Sequence, residues 1–391
     1  MKKYSTKRIF MVLLAAVIIV AAIPGSAFAA SATTLTLKVD GSTVSPTVKA
    51  VKVEKEALVS QDTLSNYFGA TVSYSASSKK MTVKMTAYTF VFKMGSKSYT
   101  LNGKSKTAGV AAQLVNKKPM VPAKAFATGI NGTYSLSGKT CNLKYFSVLK
   151  GSVKITGSTT VQPIAQAAAD ALMKKNKGLS ISVAGGGSGQ GVNDTIAGSN
   201  NLGMSSRDLD ATEKSKIKAL TIARDGIAII VHPSNKVKNL TKKQAEDIFL
   251  GNITNWKDVG GANAAIVVMT RETGSGTRAT LEEMLLEKKS VTSKATPYSS
   301  SKLIKQKVAA SKNAIGYDSI GFVDKTVKAL SLNSVAPSVS TITQGKYLMG
   351  RNLYMLSKGT PTAASAMFVD YLKTVSAQQN IIAKEGYIRI K

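Results

Sequence analysis

The sequence predicts an α/β C-terminal region of two lobes behind a smaller, β-rich α+β region. Two observations carry that prediction. From residue 151 onward, apolar strand-like runs alternate with helix-like stretches, the pattern of parallel sheets with ligands at strand ends near a switch point between lobes. Residues 31–147 instead show period-two alternation, as in Thr89-Phe90-Val91-Phe92-Lys93-Met94, and an internal repeat. The chain has 391 residues, 43% of them hydrophobic and 19% charged, which is ordinary globular composition with ample core for two or three domains.

Residues 1–29 read as a secretory signal. Lys2, Lys3, Lys7 and Arg8 form a basic start, residues 9–23 an apolar stretch, and Ala27-Phe28-Ala29 a small-residue cleavage site. A retained anchor is the rival reading. Against it, the apolar run falls short of the ~18 residues a spanning helix needs, and Pro24-Gly25-Ser26 breaks it. No cysteine follows it for lipid attachment. The expected location is therefore secreted, extracellular or associated with the cell wall.

An internal repeat lies within residues 31–147. Leu58-Val59-Ser60, a helix to Phe68, Gly69-Ala70-Thr71-Val72-Ser73-Tyr74 and Lys79-Lys80-Met81-Thr82-Val83 make one copy. Met120-Val121-Pro122, a helix to Ile130, Asn131-Gly132-Thr133-Tyr134-Ser135-Leu136 and Lys139-Thr140-Cys141-Asn142-Leu143 make the other. Two such copies imply a pseudo-symmetric α+β domain.

In residues 151–391, strand 153–155 leads to a helix over 165–175 that ends near Gly178. Strand 179–183, a glycine-rich turn and a helix near 192–197 follow, then residues 222–223 and 227–231 read as strand. Thr241-Lys242-Lys243-Gln244 is a capping box opening a helix that Gly251 closes. Residues 265–269 read as a buried strand and 280–287 as a helix. Chain crossings between lobes are expected near residues 231–233 and 317–322.

Composition excludes several chemistries. Cys141 is the one cysteine and His232 the one histidine, so disulfide scaffolds, zinc clusters and Cys/His catalytic pairs are ruled out within this chain. Cys141 reads as a buried, inert thiol and His232 as structural. The formal charge of +32 is spread over the whole chain without interleaved aromatics. No helix-turn-helix, RNA-binding or finger pattern accompanies it, so nucleic acid is not an expected partner. A solvated lysine surface and electrostatic retention on an anionic cell-wall polymer both remain open.

Four polar segments look built to hold one oxyanion. They are Gly157-Ser158-Thr159-Thr160-Val161, Gly185-Gly186-Gly187-Ser188-Gly189-Gln190-Gly191, Gly203-Met204-Ser205-Ser206-Arg207 and Arg271-Glu272-Thr273-Gly274-Ser275-Gly276-Thr277. Such turns aim backbone N–H groups and hydroxyls at a ligand, with a helix dipole behind them. A flexible linker is the alternative for the glycine run, but patterned elements press on it from both sides. A Walker loop at 273–278 lacks the required lysine. Ser188 has no histidine to activate it, so no catalytic residue is assigned.

In order along the chain, and joined by Asp247-Ile248-Phe249-Leu250-Gly251-Asn252-Ile253-Thr254-Asn255-Trp256, these motifs resemble the phosphate-binding proteins of Pst-type ABC transporters, which are class II solute-binding proteins. The resemblance covers residues 151–391. It implies a two-lobed periplasmic-binding-protein (venus-flytrap) fold that closes on inorganic phosphate and delivers it to an ABC permease. It implies Thr159 and Thr160 as donors from the first helix start, Ser188 from the glycine nest, and Arg271 as the charged partner. Ser275, Gly276 and Thr277 would donate from the next helix start. Better-known members carry an aspartate where this chain has Ser206, a carboxylate that can take the proton of hydrogen phosphate. Ser206 or Asp208 could replace it, and Arg207 is either a ligand or the partner of a nearby acid. Asp247 and Trp256 are expected to cap and pack. No cofactor and no metal are implied, and the protein is expected to be a monomer. The readings that compete are a phosphate sensor or scavenger uncoupled from transport, a wall adhesin, and, least favoured, a phosphatase.

Residues 35–146 resemble the copper amine oxidase N-terminal-like stalk domain, through the repeat and its Val121-Pro122 copy. Copper would find no histidine there and a single cysteine, so an adhesive or spacer role is expected.

Overall fold

The computed structural model describes residues 32–390. The expected signal segment lies outside them.

Both copies of the N-terminal repeat form. The first comprises strand Glu56–Ser60, helix Gln61–Phe68 and the hairpin strands Thr71–Ser75 and Lys80–Lys84. The second comprises strand Lys118–Pro122, helix Ala123–Gly129 and the hairpin strands Thr133–Ser137 and Thr140–Lys144. Their first strands pair antiparallel, with Val121 opposite Val59, which relates the copies by a local two-fold. Alternation drives this: Met81, Val83, Phe90 and Phe92 turn inward, while their neighbours stay at the surface. Phe68 and Phe126, one from each helix, meet edge-to-face at 5.1 Å between ring centroids. Cys141 is buried, and desolvation pushes its thiol up to about 12, which keeps it unreactive.

In the C-terminal region one mixed sheet runs through both lobes. Its order is Leu179–Gly185, Gly151–Gly157, Leu202–Ser205, Gly350–Ser357, Lys218–Val231, Ala314–Ser319, Val267–Arg271 and Thr296–Tyr298. The two long strands pair antiparallel with each other, Gly226 opposite Gly350, and carry the chain between lobes. Ile222, Ala223, Leu353 and Met355 belong to the first lobe's core, whereas Ile227, Ile229 and Met349 belong to the second's. The crossings therefore lie at residues 224–226 and 350–352. This corrects the expectation of crossings at 231–233 and 317–322. Residues 231–233 lie past the crossing, where Val231 pairs with Ile315 inside the second lobe. Ile320–Phe322 is a short 3-10 turn after a second-lobe strand. His232 bonds the Ser234 hydroxyl at 2.7 Å in a turn.

Three helices start earlier than expected, at Gln162, Ser188 and Gly276. Helix Gly276–Met284 begins four residues early because the Ser275 hydroxyl accepts the Arg278 N–H at 3.3 Å. The capping box at Thr241 and Gln244 forms, and Gly251 closes that helix in the left-handed conformation. No helix among the described residues is long and apolar enough to cross a membrane.

The N-terminal region and the first lobe share one continuous core. Asp370, on helix Ala363–Leu372, accepts the Thr86 N–H (2.9 Å), the Thr86 hydroxyl (2.6 Å) and the Tyr145 hydroxyl (3.1 Å). Asn176 of the first lobe donates to the Phe146 and Leu149 carbonyls at 3.2 and 2.6 Å. A Cβ on Gly69 would lie 2.1 Å from the Asp370 carbonyl oxygen, so only glycine lets these backbones meet.

Burial lifts the Asp370 carboxyl to about 6, against the pull of the Thr86 donors and Lys373. A raised carboxyl stabilises the fold fully below its unfolded value, and that contribution is lost as pH rises through about 6. Asp370→Asn should accordingly increase the unfolding free energy at pH 8 by on the order of 2–3 kcal/mol. Urea titrations should show the difference vanishing by pH 4.

Candidate anion-binding site

Four helix starts bring the site together. Strand Gly151–Gly157 ends at a glycine with φ 132°, where a Cβ would strike the Met204 carbonyl at 2.4 Å. The turn 158–161 then opens helix Gln162–Lys175. Helix Ser188–Ala197 starts directly after the glycine run, and helix Gly276–Met284 starts just past Arg271. Ser301, the first residue of helix Ser301–Ala309, comes from the second lobe as well. Each start presents N–H groups without intrahelical partners, together with its dipole's positive end.

Side-chain distances link these starts into one buried network. Thr160 Oγ1 lies 3.1 Å from Thr277 Oγ1 and 3.4 Å from Ser301 Oγ. Ser206 Oγ accepts from Ser158 Oγ at 3.0 Å and lies 3.3 Å from Ser188 Oγ. A Cβ on Gly276 would stand 2.3 Å from Ser188 Oγ and 2.6 Å from Ser206 Oγ, so the lobes are closed on one another here. The Gly189 N–H bonds the Gly274 carbonyl at 2.9 Å across the same contact.

Two guanidiniums serve this network. Arg271 is 1% exposed; its Nη1 donates to Ser301 Oγ at 3.0 Å and its Nη2 to Thr159 Oγ1 at 3.0 Å. Glu272 holds it by two contacts of 2.9 Å, and the Tyr298 carbonyl accepts from Nε at 3.2 Å. Arg351 sits at the crossing, paired with the fully buried Asp225 at 2.9 and 2.7 Å. Its Nη1 reaches the Ser206 carbonyl in the first lobe and Thr277 Oγ1 in the second, both at 3.1 Å. Among the described residues, no group of three or more His, Cys, Asp or Glu could hold a metal ion.

Of the residues singled out from sequence, Thr159, Thr160, Ser188, Ser206, Arg271, Gly276 and Thr277 lie together in this network. Ser275 is buried beside it as a helix cap. Arg207 does not point inward. Its guanidinium is held by Glu213 at 2.8 and 2.7 Å, a carboxylate fixed in the capping box of helix Ala211–Lys216, which removes Arg207 from the converging groups. Asp208 accepts the Tyr354 hydroxyl instead. Trp256 packs and donates to the Asn313 carbonyl at 3.0 Å, and Asp247 accepts from Lys243 and Asn252. Sequence reasoning missed Ser158, Ser301, Arg351 and Asp225. Of these, only Ser158 stood inside a motif that sequence could flag.

Comparison with known proteins agrees with this architecture. Residues 146–375 match the family described as PBP superfamily domain, and residues 38–144 match the copper amine oxidase N-terminal domain. The phosphate-binding protein PstS of Bacillus subtilis is 35% identical, over 61% of this chain and 81% of that protein. A putative phosphate ABC transporter substrate-binding protein from Clostridium perfringens, whose crystal structure contains phosphate, is 38% identical with a TM-score of 0.59. It is covered completely and spans 62% of this chain. An ABC-type phosphate transport receptor from Vibrio cholerae is 33% identical with a TM-score of 0.53, over 60% of this chain and 99% of that one. With a buried cage of helix starts and an arginine between two lobes, and these matches beside it, the chain belongs to the PstS phosphate-binding proteins of the PBP superfamily, preceded here by a copper amine oxidase N-terminal domain.

Proposed function

We propose that this protein binds inorganic phosphate between its lobes outside the cell and delivers it to an ABC importer. One observation carries the reading: hydroxyls of Thr160, Ser188, Ser206 and Thr277 and the guanidinium of Arg271 meet in a single buried network between two lobes. A desolvated oxyanion needs a donor for nearly every lone pair, and a cage of hydroxyls, amides and a fork-shaped cation supplies them. Arg351, which touches both lobes, is added to the proposed site. Closure around the anion is the signal that a permease reads. Nothing in the cage activates a nucleophile, and we assign no covalent chemistry.

The N-terminal domain fits retention on an anionic wall polymer. Residues 32–147 hold sixteen lysines against four acids. Of those acids, Asp40 and Asp62 accept backbone N–H groups and Glu56 is buried. No ion pair among the described residues involves any of these lysines, so their charge is offered to a partner.

Calorimetric titration of the mature protein with phosphate tests the ligand. Saturable heat at micromolar phosphate is expected, and no heat at millimolar phosphate overturns the reading. Phosphate uptake by a deletion strain at low phosphate separates an importer from an uncoupled scavenger.

A further inference from the structure

The proposed site holds two cations and three carboxyls. Glu272 matches Arg271 and Asp225 matches Arg351, each through two contacts. Asp318 has no cation of its own. It is fully buried on strand Ala314–Ser319; its Oδ1 accepts the Ser319 N–H at 2.9 Å, and its Oδ2 has no hydrogen-bond partner. A buried polar atom left unfilled in this way calls for an explanation.

Its direction follows from the strand. A Cβ on Gly316 would lie 2.8 Å from Val308 and 3.5 Å from Ile304, so that face packs on helix Ser301–Ala309. Side chains two residues apart share a face. Asp318 therefore points toward the same helix one turn nearer its start, where Ser301 contacts Arg271 and Thr160. The unfilled oxygen lies against the wall of the cage.

Charge decides its state once a ligand is present. With both arginines already matched, an ionised Asp318 and a dianion would leave three uncompensated negative charges in a desolvated space. A protonated Asp318 removes one of them and becomes an O–H donor. We propose that Asp318 is a further binding residue of this site: protonated in the liganded protein, it donates to the bound oxyanion, so that a dianion enters together with one proton. The inference rests on the phosphate reading above.

The surroundings are consistent with that role. Burial already lifts free Asp318 to about 6, against the opposing pull of Arg271, the Ser301 hydroxyl, the Ser319 N–H and Arg351. A ligand's negative charge acts in the same direction as burial. Asp225 approaches through the Ser319 hydroxyl at 2.7 Å. Tyr387, whose hydroxyl bonds the Thr160 carbonyl at 2.7 Å, is held well above its ordinary value by burial and stays neutral. Tyr317 lies on the opposite face of the strand, and burial raises it to about 12.

The test is phosphate titration of wild type and Asp318→Asn at pH 8 and pH 9, each in two buffers of different protonation heat. Wild type should take up one proton per phosphate, with affinity falling about tenfold per pH unit. Asp318→Asn should bind with neither the uptake nor the slope. Wild-type binding without proton uptake overturns the inference, and that measurement decides even if the variant fails to fold. Retention of the uptake by a folded variant overturns it too. Failure of wild type to bind phosphate at all overturns the phosphate reading instead.

Discussion

Arg271→Ala weakens phosphate binding by on the order of 2–5 kcal/mol, the cost of removing one partner from a desolvated, hydrogen-bonded charge pair. The substitution deletes the cation nearest the Thr159 and Ser301 hydroxyls, and a dianion would then rely on amides, hydroxyls and the Asp225-paired Arg351. Glu272 would be left without its partner, but its side chain is 25% exposed and water can take over. The fold should therefore survive, and thermal unfolding of the ligand-free variant checks this. Arg271→Lys should recover only part of the affinity, because a single ammonium keeps the charge and loses the planar fork. Calorimetric titration reads both variants. Unchanged affinity in Arg271→Ala removes this residue from the site.

Gly276→Ala should weaken phosphate binding about 5- to 150-fold while leaving the ligand-free protein as stable as wild type. Gly276 is the first residue of its helix with no left-handed φ, so alanine suits its backbone. The new methyl meets Ser188 Oγ and Ser206 Oγ at 2.3 and 2.6 Å, and both belong to the other lobe. Overpacking of this kind costs about 1–3 kcal/mol, which corresponds to the stated range. The penalty falls on the closed state alone, because the open lobes do not touch there. Small-angle scattering should show wild type contracting with phosphate and the variant contracting less. A variant that binds and contracts like wild type would show that the lobes do not meet at Gly276.

Local chemistry was legible in the sequence, and long-range convergence was not. The Ser188, Arg271 and Thr277 turns announce themselves because glycine, serine and threonine cluster where an apolar run stops. Both copies of the N-terminal repeat were legible for a similar reason: alternation and helix length are properties of a few neighbouring residues. Arg351 and Asp225 sit inside apolar strands and look like interruptions until the two strands pair and set them together. Ser301 carries no motif, and Asp318 gains meaning from a helix that starts 17 residues before it. The lobe crossings were misplaced because strand Lys218–Val231 runs unbroken for 14 residues through both cores. The polar Arg224-Asp225-Gly226 step marks where one core ends, but it reads as a local interruption until the strand is seen to continue through it. Arg207, left open between ligand and partner of an acid, takes the second role: Glu213, six residues later in sequence, captures it.

The Asp370 clasp and the glycine contact behind it have a mechanical consequence. With the N-terminal domain fused to one jaw, whatever grips that domain immobilises half of the trap and leaves the residue 226–350 half as the only moving part. Capture is then a one-sided swing, and a transporter docking on this molecule meets a fixed half already oriented by its mooring.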